Sequence, residues 1–377
     1  MIYLDNSATT RPYDAVIALM DEIYRSDFGN PSSVHRLGLR AEERVRSARE
    51  QAAAALDCQP SELYFTSGGT EADNLAIFGT VNALRRRGRR IVTTDAEHPA
   101  VLEPMKELER QGFDVVYLPT RGGRLDQAEL AAAVTPDTIL VSIMAVNNET
   151  GALFPVRLAK LAIERAKAPA LLHTDCVQAF LKTPVSPAAT GADLITLSAH
   201  KIHGPKGCGA LYVRRGARIV PPYLGGGQEK GIRSGTENVA GIAGFGEAIR
   251  QFRERESENR ARLQDLGRYA QERLAAVEGV TLNLPAERAP HVLSLSVGTV
   301  RSEVVLRFLE ERDIYVSAGS ACASRKNSRS HVLTAMGLQP HRIDSAVRIS
   351  LSHLNTREEL DELAAALQAC VGTLAGF

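Results

Sequence analysis

ALLHTDCVQAFLKTPVSPAATGADLITLSAHKIHG, residues 170–204, decides the fold. Two short apolar runs, ALLHTD and DLITLSA, each end on polar groups. Their hydrophobicity is continuous rather than alternating. That pattern marks strands buried on both faces, as in a mostly parallel sheet. Further runs of the same kind lie upstream: RRIVTTD (89–95), DVVYLPT (114–120) and TILVSIMAV (138–146). Helical patterns such as PAVLEPMKELERQG (99–112) and PVRLAKLAIERAKA (155–168) stand between several of them. ELYFTSGG (62–69) reads as a strand entering a Gly-rich turn. TEADNLAIFGTVNALRRRG (70–88) reads as a helix, acidic in its first turn and basic in its last. Strands alternating with helices give an α/β fold.

The pattern changes after residue 214. VPPYLGGGQEKGIRSGT (220–236) is a Pro/Gly-rich connection, and a long charge-rich helix is predicted from Asn238 to about Glu278. Short strands, a helix over SEVVLRFLEERD, a small-residue loop, the strand AVRISLS and a last helix follow. Thr356 and Glu359 form a capping box for that helix, with Leu360, Leu363, Ala364, Leu367 and Val371 on one face. We expect a large domain over residues 12–256 and a smaller α+β domain over 1–11 and 257–377.

The chain has 377 residues, and 45 Lys+Arg against 44 Asp+Glu leave a net charge of +1. A balance this even argues against a broad nucleic-acid or anionic-lipid surface. No apolar run approaches the ~20 residues of a membrane span. MIYLDNSATT lacks the basic and apolar regions of a signal peptide, so the cytoplasm is expected. Five cysteines, at 58, 176, 208, 322 and 370, show neither a disulfide framework nor metal-ligand spacing. Any special cysteine should be one that reacts.

Six segments carry candidate chemistry, each with a plain alternative. In SAHKIHGPKGCG (198–209), Lys201 at a strand end reads as an amine nucleophile or as a surface lysine in a turn. Ser198 and His200 beside it suit a phosphate. In FTSGGTEADN (65–74), Gly69 and Thr70 open a helix whose N-terminus faces an anion, or simply cap it. Asp175 follows a wholly apolar strand, and a protonated ring nitrogen would suit it; otherwise it is an N-cap. Gln178 is an amide near the same ligand. His98 in DAEHPAV stacks on a planar ring and moves protons, or is structural. Cys322 in SAGSACASRKNSRS (317–330) lies near Arg325, Lys326 and Arg329, which favour the thiolate; the alternative is an inert loop cysteine. Arg348 in AVRISLS suits a substrate carboxylate or an internal salt bridge. Asn148 in VNNETG and Thr236 in RSGTEN do not stand out alone. Together the set supplies a Schiff-base lysine, an acid for a ring nitrogen, a stacking group and phosphate donors. Those are the parts of a pyridoxal phosphate site.

The same segments resemble the cysteine desulfurases of the class-V aminotransferase family. The matching stretches include YLDNSATT, FGNPSSVHRLG, VSIMAVNNETG, HTDCVQA, SAHKIHGPKGCGALYV, GGGQEKGIRSGTENVAG and SAGSACAS, in order over residues 3–355. The resemblance implies a pyridoxal-phosphate-dependent transferase of fold type I, acting on L-cysteine as a homodimer. Lys201 would carry the cofactor and move protons at the substrate Cα. Asp175 would pair with the ring nitrogen and Gln178 would bond the ring's phenolic oxygen. His98 would stack on the ring and share in proton transfer. Gly69, Thr70, Ser198, His200 and, from a partner subunit, Thr236 would hold the phosphate. Arg348 and Asn148 would hold the substrate carboxylate. Cys322 would accept the sulfur and pass it to a protein, an iron–sulfur scaffold or a tRNA-thiolating enzyme. The RKNSR segment after CAS, Ser352 where Gly is frequent, and Cys176 depart from the common pattern. Competing readings are another pyridoxal-phosphate lyase or transaminase, a selenocysteine lyase among them, and a non-catalytic assembly partner.

Overall fold

The computed structural model describes residues 1–319 and 329–374. Strand β1 (Ile2–Tyr3) opens the chain. The next seven strands build one sheet: β2 (Leu63–Thr66), β3 (Arg90–Thr94), β4 (Asp114–Leu118), β5 (Thr138–Ser142), β6 (Leu171–Asp175), β7 (Leu194–Ser198) and β8 (Gly209–Val213). A second, four-stranded sheet uses β9 (Val280–Leu282), β10 (Val292–Val297), β12 (Ser317–Ala318) and β13 (Ala346–Ser350), while β11 (Ile314–Tyr315) pairs with β1. The helices in chain order are α1 (Asp14–Ser26), α2 (Arg36–Leu56), α3 (Gly69–Leu84), α4 (Pro99–Arg110), α5 (Gln127–Ala133), α6 (Val156–Ala166), α7 (Pro187–Thr190), α8 (Val239–Arg253), α9 (Glu256–Ala275), α10 (Ser302–Glu310), α11 (His331–Ala335), α12 (Pro340–Asp344) and α13 (Arg357–Leu374).

The large sheet runs β2-β8-β7-β6-β5-β3-β4, and β8 alone is antiparallel to its neighbours. Continuous apolar strands serve both of its faces, as their composition requires. Ile195, Leu197, Ala210 and Tyr212 face a core built with α2 and α8. Their neighbours Leu194, Leu211 and Val213 face α3 on the other side. The predicted helix from 238 to 278 is two helices, α8 and α9, broken at Glu254–Arg255. The capping box of α13 forms: Thr356 N–H donates to Glu359 and Glu359 N–H to the Thr356 hydroxyl. A second core gathers Ile2 and Leu4 with α9, β10, α10, β13 and α13.

Two devices position the segments around the sheet. Arg49 on α2 forms a part-buried ion pair with Glu229 at 2.7 Å, and Glu229 also accepts the Phe65 N–H at 3.1 Å. Glu229 and Lys230 hold φ of 47° and 54°, a strained pair pinned by these bonds. The Gly-rich 220–236 segment is thereby fixed against β2. At the junction with the second core, His203 bonds the Arg11 carbonyl at 2.8 Å and the Ser352 hydroxyl at 2.7 Å, so Ser352 has a structural partner. His353 bonds the Tyr13 hydroxyl at 3.1 Å, and its ring lies 5.4 Å from that of His203.

Burial, then the neighbouring His203, pushes the His353 imidazole down to about 3. An unfolded histidine titrates near ~6.5, so the folded state excludes a proton that the unfolded chain takes up. This contribution is complete above pH ~6.5 and is lost as the pH falls toward the folded value. Between pH 7 and 5, the wild type should lose about 2 kcal/mol more stability than H353Q, read from urea unfolding at each pH. Equal losses would show that His353 takes up its proton as readily in the folded protein as in the unfolded chain.

Candidate active site

The carboxyl ends of the parallel strands converge, the usual ligand position in an open α/β sheet. Asp175 ends β6 and Ser198 ends β7, while Gly69 and Thr70 open α3 just beyond β2. Lys201 lies on a single 3-10 turn, residues 199–201, directly after β7. Its ammonium donates to the carbonyls of Ser7 at 2.6 Å and Ala8 at 2.7 Å. The Gln178 amide donates to the same Ser7 carbonyl at 3.0 Å. Lys201, Gln178 and the N-terminal segment therefore meet at one point.

Asp175 is buried, and its Oδ1 accepts the Val177 N–H at 2.8 Å. Burial, then the nearby Asp73, raises its carboxyl to about 7. A cation placed against it would restore the ionised form. Beneath it, His173 bonds Ser142 at 2.8 Å and Thr196 at 3.0 Å, with Asp73 at 3.5 Å. Burial holds His173 at about 4, hence neutral at pH 7. His98 caps α4, its Nδ1 accepting the Ala100 N–H at 3.1 Å. Burial, then the charge of Lys201, lowers His98 to about 4. A neutral imidazole beside an amine can accept a proton at physiological pH.

Phosphate chemistry fits the other side of the pocket. The Ser198 hydroxyl is buried with no partner among the described residues. A Cβ on Gly69 in place of its hydrogen would come within 2.9 Å of the Val177 side chain and 3.8 Å of Ser198, so glycine lets the α3 N-terminus pack against the ends of β6 and β7. Gly68 before it has φ of 154°. The first-turn N–H groups of α3 and an orphaned hydroxyl form a cradle for an anion. His200 bonds the Thr9 hydroxyl at 3.2 Å and is lowered to about 3 by burial and then by Lys201. Thr70 is exposed at the same helix start. These residues fit pyridoxal phosphate: Lys201 for its aldehyde, Asp175 for its ring nitrogen, and the α3 cradle for its phosphate.

Other predicted residues are placed as follows. Arg348 lies on β13 and is buried; it bonds Asp5 at 2.8 Å and the Asn148 carbonyl at 3.1 Å. The internal salt bridge is thus present, while its Nε is buried with no partner among the described residues. Asn148 contributes its carbonyl to this contact. Its neighbour Asn147 shapes the turn by accepting the N–H groups of Glu149 and Thr150 at 2.9 and 3.0 Å. Thr236 is exposed on the Gly-rich segment, which Arg233 ties to Glu71 of α3 at 2.9 Å. Cys176 is fully buried and its thiol is pushed up by burial, which fits packing. Cys322, Arg325 and Lys326 lie outside the described residues. Arg329 pairs with Asp344 at 2.7 Å. Sequence reasoning missed the carbonyls of Ser7 and Ala8, the ion-pair partner Asp5, and the buried acids Asp73 and Glu97.

No helix among the described residues is long and apolar enough to cross a membrane. The class-V aminotransferase family profile matches residues 2–363. A cysteine desulfurase from Trichormus azollae is 42% identical over 369 residues, covering 96% of this chain and 91% of the relative. A solved NifS-like protein superimposes with a TM-score of 0.92 at 39% identity, over 99% of this chain and all of the other. A structure described as SspA in complex with cysteine gives a TM-score of 0.83 at 33% identity, over 94% of this chain and all of the other.

Proposed function

This chain belongs to the class-V aminotransferase family, and from that premise we propose that it is a pyridoxal-phosphate-dependent L-cysteine desulfurase delivering sulfur to Cys322. The observation that carries the chemistry is the convergence of Lys201, Asp175, His98 and the orphaned Ser198 hydroxyl at the carboxyl edge of one sheet. Pyridoxal phosphate, when bound, supplies an electron sink for the substrate Cα.

The chain's own groups do the rest. Asp175 holds the proton on the ring nitrogen, and Gln178 donates to the ring's phenolic oxygen. Gly69, Thr70, Ser198, His200 and Thr236 of the partner subunit hold the phosphate. Arg348 and Asn148 hold the substrate carboxylate. The Lys201 amine takes the Cα proton, and neutral His98 takes the proton of the substrate thiol.

The sulfur balance is simple. The Cβ–S bond of cysteine breaks, the electron pair stays on carbon and is protonated, and the sulfur bonds to the Cys322 sulfur. The products are alanine and a Cys322 persulfide, with no external oxidant. Cys322 is assigned by its sequence neighbourhood, SAGSACAS followed by Arg325 and Lys326, which favours a thiolate. The persulfide sulfur passes to a protein acceptor in the cytoplasm, an iron–sulfur scaffold or a tRNA-thiolation enzyme.

The working unit in this proposal is a homodimer. Val34 and Leu224 are 95% and 92% exposed, and Phe28 in the α1–α2 connection and Leu39 on α2 are exposed as well, apolar surface suited to a second copy. The division into residues 12–256 and 1–11 with 257–377 belongs to the same proposal.

C322A separates this reading from a lyase or transaminase on the same scaffold. Alanine and sulfide formation from L-cysteine should be lost while the visible absorbance of the bound cofactor stays. Undiminished alanine formation would contradict the desulfurase assignment.

A further inference from the structure

The segment after Asp175 contains a strained turn that the proposed mechanism does not use. Leu181 has φ of 63°, in the left-handed region that a bulky residue avoids. Arg260 of α9 holds its carbonyl at 3.0 Å. The chain reverses there, and the Lys182 ammonium returns to the Gln178 side-chain oxygen at 3.4 Å. Lys182 and Lys201 line one cavity with Asn6, His203, Ser352 and His353. Burial, then the charge of Lys201, lowers the Lys182 amine to about 7. Its other titratable neighbours are imidazoles, His200, His203, His291 and His353. Among the described residues no carboxylate forms an ion pair with it.

A half-buried lysine whose hydrogen-bond acceptor among the described residues is an amide oxygen has one clear effect. The two ends of a glutamine amide are nearly equal in shape and differ only as donor and acceptor. A donor at one end fixes which way the amide faces. With Lys182 against Oε1, the Gln178 NH2 must face Ser7, where it donates at 3.0 Å. The flipped amide would place NH2 against a second donor and its oxygen against the Ser7 carbonyl. Both contacts are repulsive.

We propose that Lys182 is a positioning residue that locks the Gln178 amide with its NH2 on the side of Ser7 and Lys201, where the cofactor's ring oxygen would lie, using the strained Leu181 turn to reach it. This rests on the proposed role of Gln178 at pyridoxal phosphate.

A double-mutant cycle tests it. Retention of pyridoxal phosphate is measured by dialysis of the holoenzyme, alongside the absorbance maximum of the bound cofactor. K182M should weaken retention about tenfold and shift the absorbance maximum. In the Q178A background the same substitution should change retention less than about twofold. K182R, which keeps a donor, should restore the wild-type spectrum. A K182M enzyme with wild-type retention and spectrum, or an undiminished K182M effect in Q178A, would overturn the inference alone. An unaltered Q178A enzyme would overturn the cofactor role of Gln178 and the inference with it.

Discussion

Lys201→Ala abolishes alanine formation from L-cysteine, with an expected fall of about 10^4-fold or more. The side chain is asked to do two jobs, holding the cofactor and moving the Cα proton, and no neighbour can take over both. His98 is neutral but cannot form an imine. Lys182 is turned toward Gln178 by the Leu181 strain. Lys201→Arg should be nearly as inactive as Lys201→Ala. It keeps the positive charge and the hydrogen bonds to the Ser7 and Ala8 carbonyls, but a guanidinium stays protonated and is not a nucleophile. The fold should survive, because Lys201 sits on a one-turn connection and the Ser7 carbonyl keeps Gln178 as a donor. Alanine release in single-turnover assays, with thermal unfolding as the control, reads both points. An Ala variant retaining a tenth of the wild-type rate would contradict the role given to this amine.

Asp175→Asn is the second large loss, about 10^2- to 10^3-fold in kcat with a small change in KM. Asparagine keeps the shape of the aspartate and its acceptor for the Val177 N–H. It cannot carry the charge that keeps the ring nitrogen protonated. The cofactor should remain bound through Lys201 and the α3 cradle, so the deficit lies in the chemical step. Stability should move the other way. In the cofactor-free protein Asp175 is raised to about 7, against ~3.9 for an unfolded aspartate. The folded state therefore binds this proton more tightly, and stability is lost as the pH rises between those values. At pH 8 the Asn variant of the cofactor-free protein should be more stable than the wild type, read by chemical denaturation. A less stable variant at pH 8 would show that the cofactor-free fold holds the ionised carboxylate without penalty, contradicting the raised value.

The parts of the site that use side chains on strand ends were legible in the sequence. ALLHTD and DLITLSA show continuous apolar character, and a polar residue at the end of such a run has few places to go but the sheet edge. Asp175, Ser198 and Lys201 follow from that logic alone. GALYV, which forms β8, lies inside a Gly-rich stretch and runs antiparallel, so nothing in its pattern separated it from the loop before it. The break between α8 and α9 falls at Glu254–Arg255, where no Gly or Pro announces a stop. Ser7 and Ala8 contribute backbone carbonyls, which leave no trace in residue type. The Arg348–Asp5 pair joins positions 343 residues apart, and the backbone pairing of residues 4–6 with Ser350 brings them together. Lys182 looks like any lysine after a turn. Its meaning comes from a positive φ at Leu181, a property of the folded backbone.

The most direct measurement is the location of the sulfur. Holoenzyme incubated with L-cysteine in the absence of any acceptor, then digested and analysed by mass spectrometry, should show one added sulfur atom on the peptide containing Cys322. Peptides containing Cys58, Cys176, Cys208 and Cys370 should be unmodified, and alanine should be released in equal amount to the bound sulfur. Added sulfur on another cysteine, or alanine formed in C322S at the wild-type rate, would contradict the account.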